Sequence, residues 1–473
     1  MGQAAAPFHI LLRRTATALA PRALSFALIL AAVCIPARAA SAAPPKVPSL
    51  PTQQAGYVKY AIQDLPEHFR NDVTALDNTP ASNLLSDAGA TLGRVLFYDK
   101  RLSHDGGVSC ASCHRQANGF SDPNQFSAGI NGQLTSRHSM SLANVAYYVN
   151  GTTFWDERAS SLEEQALIPI ENPSEMGSSL NEVVAKLSQT TFYPELFQAA
   201  FGSPDVTPDR IAKAISQFER AMASYKSKFD TAFAPGQTQP NFSAVFTPDE
   251  IAGEALFRGA ARCSGCHTTN AQVGQQAFII GLDATAVDPG AGDGRFKTPS
   301  LRNVGVRGRF MHDGRFSTLQ EVVEFYNSGV QDSEFLDQGL RDPLHLDLTP
   351  EQVSQLVDFL NTLTDNTFLT SSLFSNPFVT LPGDYSGDGV VDAADYDLWR
   401  ANVGDTTSLV ADGNGDGLVD SADYVLWRNN VGLTWQDLIP GGGASMTAAV
   451  PEPSAVLLSL AAIGWAIGIR RRR

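Results

Sequence analysis

Cysteine is scarce in this chain, with five in 473 residues. Cys34 stands in an N-terminal segment that reads as a removable leader. The other four fall into one repeated pattern, Cys110-Ala111-Ser112-Cys113-His114 and Cys263-Ser264-Gly265-Cys266-His267. No thiol is left over for a disulfide, an informative allocation in an exported chain. C-x-x-C-H is the pattern of covalent haem attachment. Two thiols meet the two vinyl groups of one porphyrin, and the adjacent imidazole, carried under the ring, ligates the iron. A zinc site or a redox pair is the other use of a single such motif. Two copies 153 residues apart point to two c-type haems.

Basic residues are also few, 34 Lys and Arg against 49 Asp and Glu, and eight of the 34 lie at the two ends. Without those eight the basic count is 26 and the net charge near −23. So acidic a surface disfavours nucleic acid and favours small substrates or basic donor proteins. Long apolar runs are missing too. The first, Ala23 to Ile35, follows Arg13, Arg14 and Arg22 and precedes small residues around Ala37-Arg38-Ala39 and Ala40-Ser41-Ala42. This predicts a signal peptide over residues 1–42, with a permanent N-terminal helix as the alternative. The last, Ser454 to Ile469, has sixteen residues. At about 1.5 Å per residue it spans roughly 24 Å, short of a ~30 Å hydrocarbon core. With Pro451-Glu452-Pro453 before it and Arg470 to Arg473 after it, the segment 449–473 resembles the PEP-CTERM sorting signal of bacterial envelope proteins. The resemblance implies transient anchoring and cleavage near Pro-Glu-Pro; a permanent tail anchor is the alternative. The expected location is the periplasm or cell envelope.

Strand signals are few, so a mainly α fold is expected. Residues 43–56, rich in Pro, Ala and Gln, read as a linker. A first helical unit is expected over 57–235 and a second over 236–372. Thr207-Pro208-Asp209 predicts a helix with Ile211, Ala214, Ile215, Phe218 and Met222 on one face. Thr247-Pro248-Asp249-Glu250 is a capping box opening the helix that delivers Cys263. Thr349-Pro350-Glu351-Gln352 opens another, with Val353, Leu356, Val357, Leu360 and Leu363 inward. Beyond Leu381 the composition shifts. The acidic stretch Asp384 to Asp395 repeats 28 residues later as Asp412 to Asp423, and each copy runs on into Asp-Tyr-x-Leu-Trp-Arg. Oxygen donors at Asp384, Ser386, Asp388, Val390 (main chain), Asp392 and Asp395, and at Asp412, Asn414, Asp416, Leu418 (main chain), Asp420 and Asp423, describe two EF-hand-like calcium loops. With Asp in place of Glu at the twelfth position, the pair over 381–436 resembles a dockerin module. That resemblance implies calcium and a partner for the module; the alternative is a solvated acidic spacer.

Leu96-Phe97-Tyr98-Asp99, Ser109 to His114, Phe154-Trp155-Asp156-Glu157-Arg158, Glu171-Asn172-Pro173-x-Glu175-Met176-Gly177, Leu301-Arg302-Asn303-Val304 and Phe310 to Phe316 occur in this order. Together they resemble the bacterial dihaem cytochrome c peroxidase family, including its MauG branch. The resemblance implies two cytochrome c-like haem domains, ahead of the dockerin-like module, in an oxidoreductase that reduces hydrogen peroxide. The first haem would be peroxidatic and the second would store and relay electrons. His114 and His267 would be proximal iron ligands. Glu175 would move the proton during O–O cleavage, with Gln165 and Pro169 shaping the pocket. Trp155 would lie between the haems. A surface position for Glu175 and a packing role for Trp155 are the plainer alternatives.

Two departures from the family pattern bear on subtype. The loop Ala128-Gly129-Ile130-Asn131-Gly132-Gln133 lacks the histidine that, in reductively gated members, closes the first iron. His138 is a substitute ligand candidate, and it stands where the family has an asparagine serving an interdomain calcium site. Where typical members place a methionine ligand to the second iron, fourteen residues after His312, this chain has Tyr326, as MauG does. A phenolate favours ferric iron. Met311 and a plain core tyrosine are the alternatives. The expected partners are hydrogen peroxide and either an electron-donor protein, a small cytochrome or cupredoxin, or an oxidisable protein substrate. Peroxide-driven oxidation of a partner protein is the first rival function. A dihaem electron carrier without catalysis is the second.

Overall fold

A helix crossing sets each of the two expected helical units. In the first, Asp87–Tyr98 opens on Ser86, whose side chain accepts from the Gly89 amide, and packs across Pro208–Ala221, capped by Thr207 with Pro208 in its first turn. The crossing is close because Gly93 has no side chain: a Cβ there would stand 1.9 Å from the Ala214 carbonyl oxygen and 2.9 Å from Phe218 Cβ. The second unit repeats the device. Pro248–Arg258 crosses Pro350–Asn361, each with the expected capping box. There a Cβ on Gly253 would stand 1.9 Å from the Gln355 carbonyl oxygen and 2.9 Å from Phe359 Cβ. Ile211, Ala214, Ile215, Phe218 and Met222 are buried as their spacing predicts, and so are Val353, Leu356, Leu360 and Leu363. Val357 is half-buried, and Phe359 fills the crossing instead.

This computed structural model describes residues 46–50 and 56–438. The expected signal peptide, most of the linker and the sorting segment 449–473 lie outside the described residues. The described residues are mainly helical, and among them are two small antiparallel pairs, Lys46–Pro48 with Phe378–Thr380 and Ala277–Phe278 with Phe296–Lys297. Among the described residues no helix is long and apolar enough to cross a membrane.

The two units exchange side chains across sequence. Phe229 and Phe233, late in the first, pack in the second core beside Val353, Phe359 and Leu363. Phe368 and Phe374, near the end of the second, return to the first core with Phe97, Phe120 and Phe218. Part of the segment read as linker also enters that unit: Val47 and Leu50 are buried, and Val47 pairs with Val379. Their apolar side chains alternate with prolines, a pattern that conceals a short edge strand.

The repeats fold as a pair of helices, Ala393–Asn402 and Ser421–Asn430, capped by Asp392 and Asp420. They lock reciprocally, Trp399 Nε1 donating to the Asp420 carbonyl at 2.7 Å and Trp427 Nε1 to the Asp392 carbonyl at 2.8 Å. Tyr385, Val391, Trp427 and Trp435 continue the core of Phe192, Tyr193 and Leu196 in the first unit.

Candidate active site

Each C-x-x-C-H sits on a single tight turn that aims its thiols and imidazole into one cavity. Cys110–Cys113 is one helical turn capped by Ser109 and Ser112, and Cys263–Gly265 is a 3-10 turn after Arg262. In both sites the histidine Nδ1 meets a backbone carbonyl a few residues on. His114 meets Phe120 O at 3.0 Å, and His267 meets Gln272 O at 3.2 Å. A carbonyl accepts only, so Nδ1 carries the proton and Nε2 keeps its lone pair, the form in which imidazole ligates a metal. Burial lowers both pKa values, that of His267 to about 4, which keeps the rings neutral.

The first cavity, about 1770 Å³ including the space open at its mouth, is lined by Cys110, Cys113 and His114, and by Gln165, Pro169 and Glu175. Gln165 and Pro169 lie on the helix Leu162–Glu171, held at its start by Ser161. Glu175 lies on the turn that follows, where its amide and that of Gly177 donate to Asn172 O at 3.0 and 2.9 Å. The Asn172 amide group donates to Glu175 Oε1 at 2.8 Å. Burial raises the Glu175 pKa, while Arg158 and the Asn172 bond oppose the shift. The loop without a histidine buttresses this turn: Ile130 N donates to Glu175 O at 2.8 Å. Gly129 lies so close that a Cβ would stand 2.1 Å from Ser174 O.

The second cavity, about 1420 Å³ on the same reckoning, is lined by Cys263, Cys266 and His267, and by Tyr326, Met311 and His312. Tyr326 follows the helix Leu319–Glu324 in a turn of π-helix, Phe325–Gly329, an irregularity common at functional positions. Burial raises its pKa, and the Cys266 and Cys263 thiols add to the rise. His312 stacks flat on Phe296, centroids 3.6 Å apart.

Trp155 stands in a wall shared by both cavities, together with His138 and Lys297. Its indole donates to the His138 carbonyl at 2.7 Å, and the His138 amide donates to the His312 carbonyl at 2.8 Å. The His138 ring is held on both sides, by Ser121 Oγ at 3.1 Å and the Asn124 and Gln125 carbonyls at 3.1 and 3.3 Å.

Orphaned polar atoms test whether these cavities fit a large, partly anionic group. Gln165 Oε1 and Glu219 Oε2 are buried without hydrogen-bond partners, and both residues line the first cavity. Arg307 Nε is likewise orphaned, and Arg307 lines the second. A guanidinium whose Nη2 is held by the Ser300 and Arg302 carbonyls and whose buried Nε–H is free suits a carboxylate such as a haem propionate. Together with apolar walls, paired thiols and neutral imidazoles, the donor set fits a haem in each cavity.

The match to known proteins agrees. Residues 87–239 match the family described as di-haem cytochrome c peroxidase, and residues 250–364 match cytochrome c. The methylamine utilization protein MauG of Methylorubrum extorquens is 35% identical over 301 residues, covering 60% of this chain and 80% of that protein. Cytochrome c551 peroxidase of Nitrosomonas europaea is 34% identical over 290 residues, covering 58% of this chain and 79% of the relative. This chain belongs to the dihaem cytochrome c peroxidase family. A MauG-like protein associated with microbial copper homeostasis shares the fold at a TM-score of 0.57 and 31% identity, over 67% of this chain and 99% of that one. The protein is thus a dihaem c-type peroxidase, an oxidoreductase acting on hydrogen peroxide, with two cytochrome c-like domains that hold two c-type haems.

Three residues of this peroxidase escaped the sequence reading. Lys297 is buried between the cavities, donates to Thr152 O at 2.5 Å and lies over the Tyr148 ring. Burial lowers its pKa to about 7. Glu219 is buried beside the first cavity, and burial raises its carboxyl pKa to about 8. Its signal was available, since it sits four residues after Ile215 on the apolar face. Arg307 is pushed down to about 10 by burial; nothing in its local sequence marks it.

Proposed function

We propose that peroxide is cleaved in the first cavity and that the second cavity holds and relays oxidising equivalents. When bound, the two haems supply an iron centre for peroxide and the redox capacity for a two-electron reduction. Every other part of the reading concerns the chain's own side chains. Cys110, Cys113 and His114 hold the first haem, and Cys263, Cys266 and His267 the second. Ionised Glu175 takes the proton from the near peroxide oxygen and returns it to the leaving oxygen. Across the whole reaction, hydrogen peroxide, two electrons and two protons become two waters. Gln165 turns its free carbonyl oxygen to the bound peroxide, and Pro169 shapes the wall. Trp155 would carry charge between the cavities, and Tyr326 would help to hold the second haem iron. The observation that carries this reading is Glu175, its pKa raised by burial, in one cavity with Cys110, Cys113, His114 and the orphaned Gln165 oxygen.

Tyr326 and the histidine-free loop favour MauG-like ligation with the first site open at rest; oxidation of a partner protein, instead of removal of peroxide, is the rival reading. In the scavenging version the electrons come from a small basic cytochrome or cupredoxin. One mixing experiment tests the reading. Fully oxidised, haem-loaded protein given one equivalent of peroxide should change its Soret band at once. The Glu175→Gln variant should slow that change by roughly 10²–10⁴-fold, the usual worth of a positioned acid–base group. Reaction only after one-electron reduction would contradict the open first site. An undiminished rate in the variant would remove Glu175 from the mechanism.

We also read the repeats over 381–436 as a dockerin-like calcium-binding module, with 57–235 and 236–372 as the haem domains. Asp384, Asp395, Asp412 and Asp423 are buried, and among the described residues none of them forms a salt bridge, the Arg101 guanidinium near Asp384 being paired with Asp99. Their carboxylates accept backbone N–H bonds, and no three His, Cys, Asp or Glu side chains converge on one point among the described residues. Oxygen donors so placed suit a hard cation, which would draw in Asp388 and Asp392, or Asp416 and Asp420. Residues 1–42 as a signal peptide and 449–473 as a sorting segment complete an exported protein of the periplasm or envelope.

A further inference from the structure

The two acidic loops are copies in sequence but not in surroundings. In the second copy Asn414, Gly415 and Asp416 are exposed, and a Cβ on Gly417 would meet nothing within 4 Å. In the first copy Gly387 and Gly389 are buried. A Cβ on Gly389 would meet Thr191 Oγ1 at 2.6 Å and the rings of Phe192 and Trp435 at 3.3 Å. Three successive carbonyls of the first loop are occupied from outside it. Gly387 O accepts from Arg101 Nη2 at 3.0 Å. Asp388 O accepts from both the amide and the hydroxyl of Thr191, at 2.8 and 2.7 Å. Gly389 O accepts from the Trp435 amide at 2.9 Å, which sets the indole 6.2 Å from Phe192. Arg101 in turn pairs with Asp99, which accepts from the buried Tyr193 hydroxyl at 2.7 Å.

We propose that the acidic loop of the first repeat serves inside the chain as a latch on the peroxidatic unit, while the acidic loop of the second repeat carries none of that duty. The docked partner is the helix Phe192–Phe201 with the turn Lys100–Leu102. Buried aromatic area and backbone hydrogen bonds that exclude water hold the two together. The loop backbone faces both ways. The Gly387 and Asp388 carbonyls bind the haem unit, the Gly389 carbonyl binds Trp435 of the same module, and the amides of Gly387 and Gly389 donate inward to the Asp384 carboxylate at 2.7 and 3.1 Å. A cation held by that carboxylate therefore fixes the outward carbonyls, so cation and docking are linked. This linkage, unlike the latch itself, rests on the calcium reading.

The two copies supply a matched test. Gly389 and Gly417 have φ of +93° and +92°, so alanine strains both loops alike, but only Gly389→Ala also collides with Thr191. Haem-loaded full-length protein is followed by hydrogen exchange over residues 192–201 and by thermal unfolding read at the Soret band. Gly389→Ala should speed exchange in that helix at least tenfold and lower the unfolding temperature, with Gly417→Ala near wild type. Thr191→Val, which removes one donor without crowding, should move exchange the same way by a smaller factor. If the two glycine variants behave alike, or neither Gly389→Ala nor Thr191→Val moves exchange, the latch is wrong. Chelation with EGTA, calibrated by calorimetric calcium titration, tests the linkage. Calcium that binds the first loop without changing exchange in 192–201 overturns it. No calcium binding at all overturns the calcium reading and the linkage with it, and the glycine pair still decides the latch.

Discussion

Glu175 and Glu219 both line the first cavity and differ in surroundings. Glu175 has an amide donor and a nearby guanidinium, whereas Glu219 has an oxygen with no partner. Glu219 thus enters the folded state protonated near neutral pH, with a pKa of about 8 against an ordinary value of 4.5. Between those two values the native chain binds a proton that the unfolded chain releases, so folding stability falls as pH rises, by up to ~1.4 kcal/mol per pH unit. Below 4.5 the contribution is flat. Glu219→Gln removes this slope, and its unfolding temperature should exceed that of wild type at pH 8, with the gap closing toward pH 5. Identical pH profiles for the two proteins would mean that Glu219 finds a partner when the haem is in place. Glu175 carries the opposite kind of expectation. As a base it must be ionised, so peroxide reactivity should fall as pH drops through a value above the usual carboxylate range, and that limb should vanish in Glu175→Gln.

At the scale of elements, the loop of residues 128–134 does a different job from the one its missing histidine suggested. It closes on itself through Gly129 N to Gln133 O at 2.7 Å and braces the Glu175 turn from behind. Gly129 has an ordinary φ of −88°, so alanine there is resisted only by space. With backbone 2.1 Å away, Gly129→Ala should displace the Glu175 turn and cut peroxide reactivity as Glu175→Gln does. Haem content should be preserved. Loss of haem in Gly129→Ala would show that the loop supports the fold rather than the site. This division between local and distant contacts is also where sequence reading stops. The caps at Thr207, Thr247 and Thr349 and both C-x-x-C-H turns are spelled within a few residues, and they were legible. So was the apolar stripe from Ile211 to Met222. The bracing of Glu175 by Ile130, the return of Phe368 and Phe374 to the first core, and the burial of Lys297 between cavities are contacts across tens to hundreds of residues. No local pattern encodes them. The strand Lys46–Pro48 was hidden for another reason, since only three residues pair and one is proline.

For the whole molecule, charge governs how a donor arrives. With the expected signal and tail segments removed, 26 basic residues face 48 acidic ones, and the resulting field attracts a cationic redox protein over a Debye length of about 10 Å at 0.1 M salt. Steering of this kind raises association rates by 10–10³-fold at low ionic strength, and it acts on encounter rather than on the chemistry in the cavity. Peroxide is neutral and gains nothing from the field. The two half-reactions should therefore separate cleanly with salt. The rate of reduction by a basic cytochrome should drop at least tenfold between 10 and 500 mM sodium chloride, while the peroxide-driven Soret change, measured without donor, should hold within a factor of about two across the same range. A donor rate indifferent to salt would point to a docking face that is locally apolar or basic, and would turn the search for the partner from cationic cytochromes to neutral or acidic proteins. A peroxide step that also slows with salt would mean that bound chloride enters the first cavity, where the next measurement would be the Soret position at fixed ionic strength with chloride replaced by a non-ligating anion.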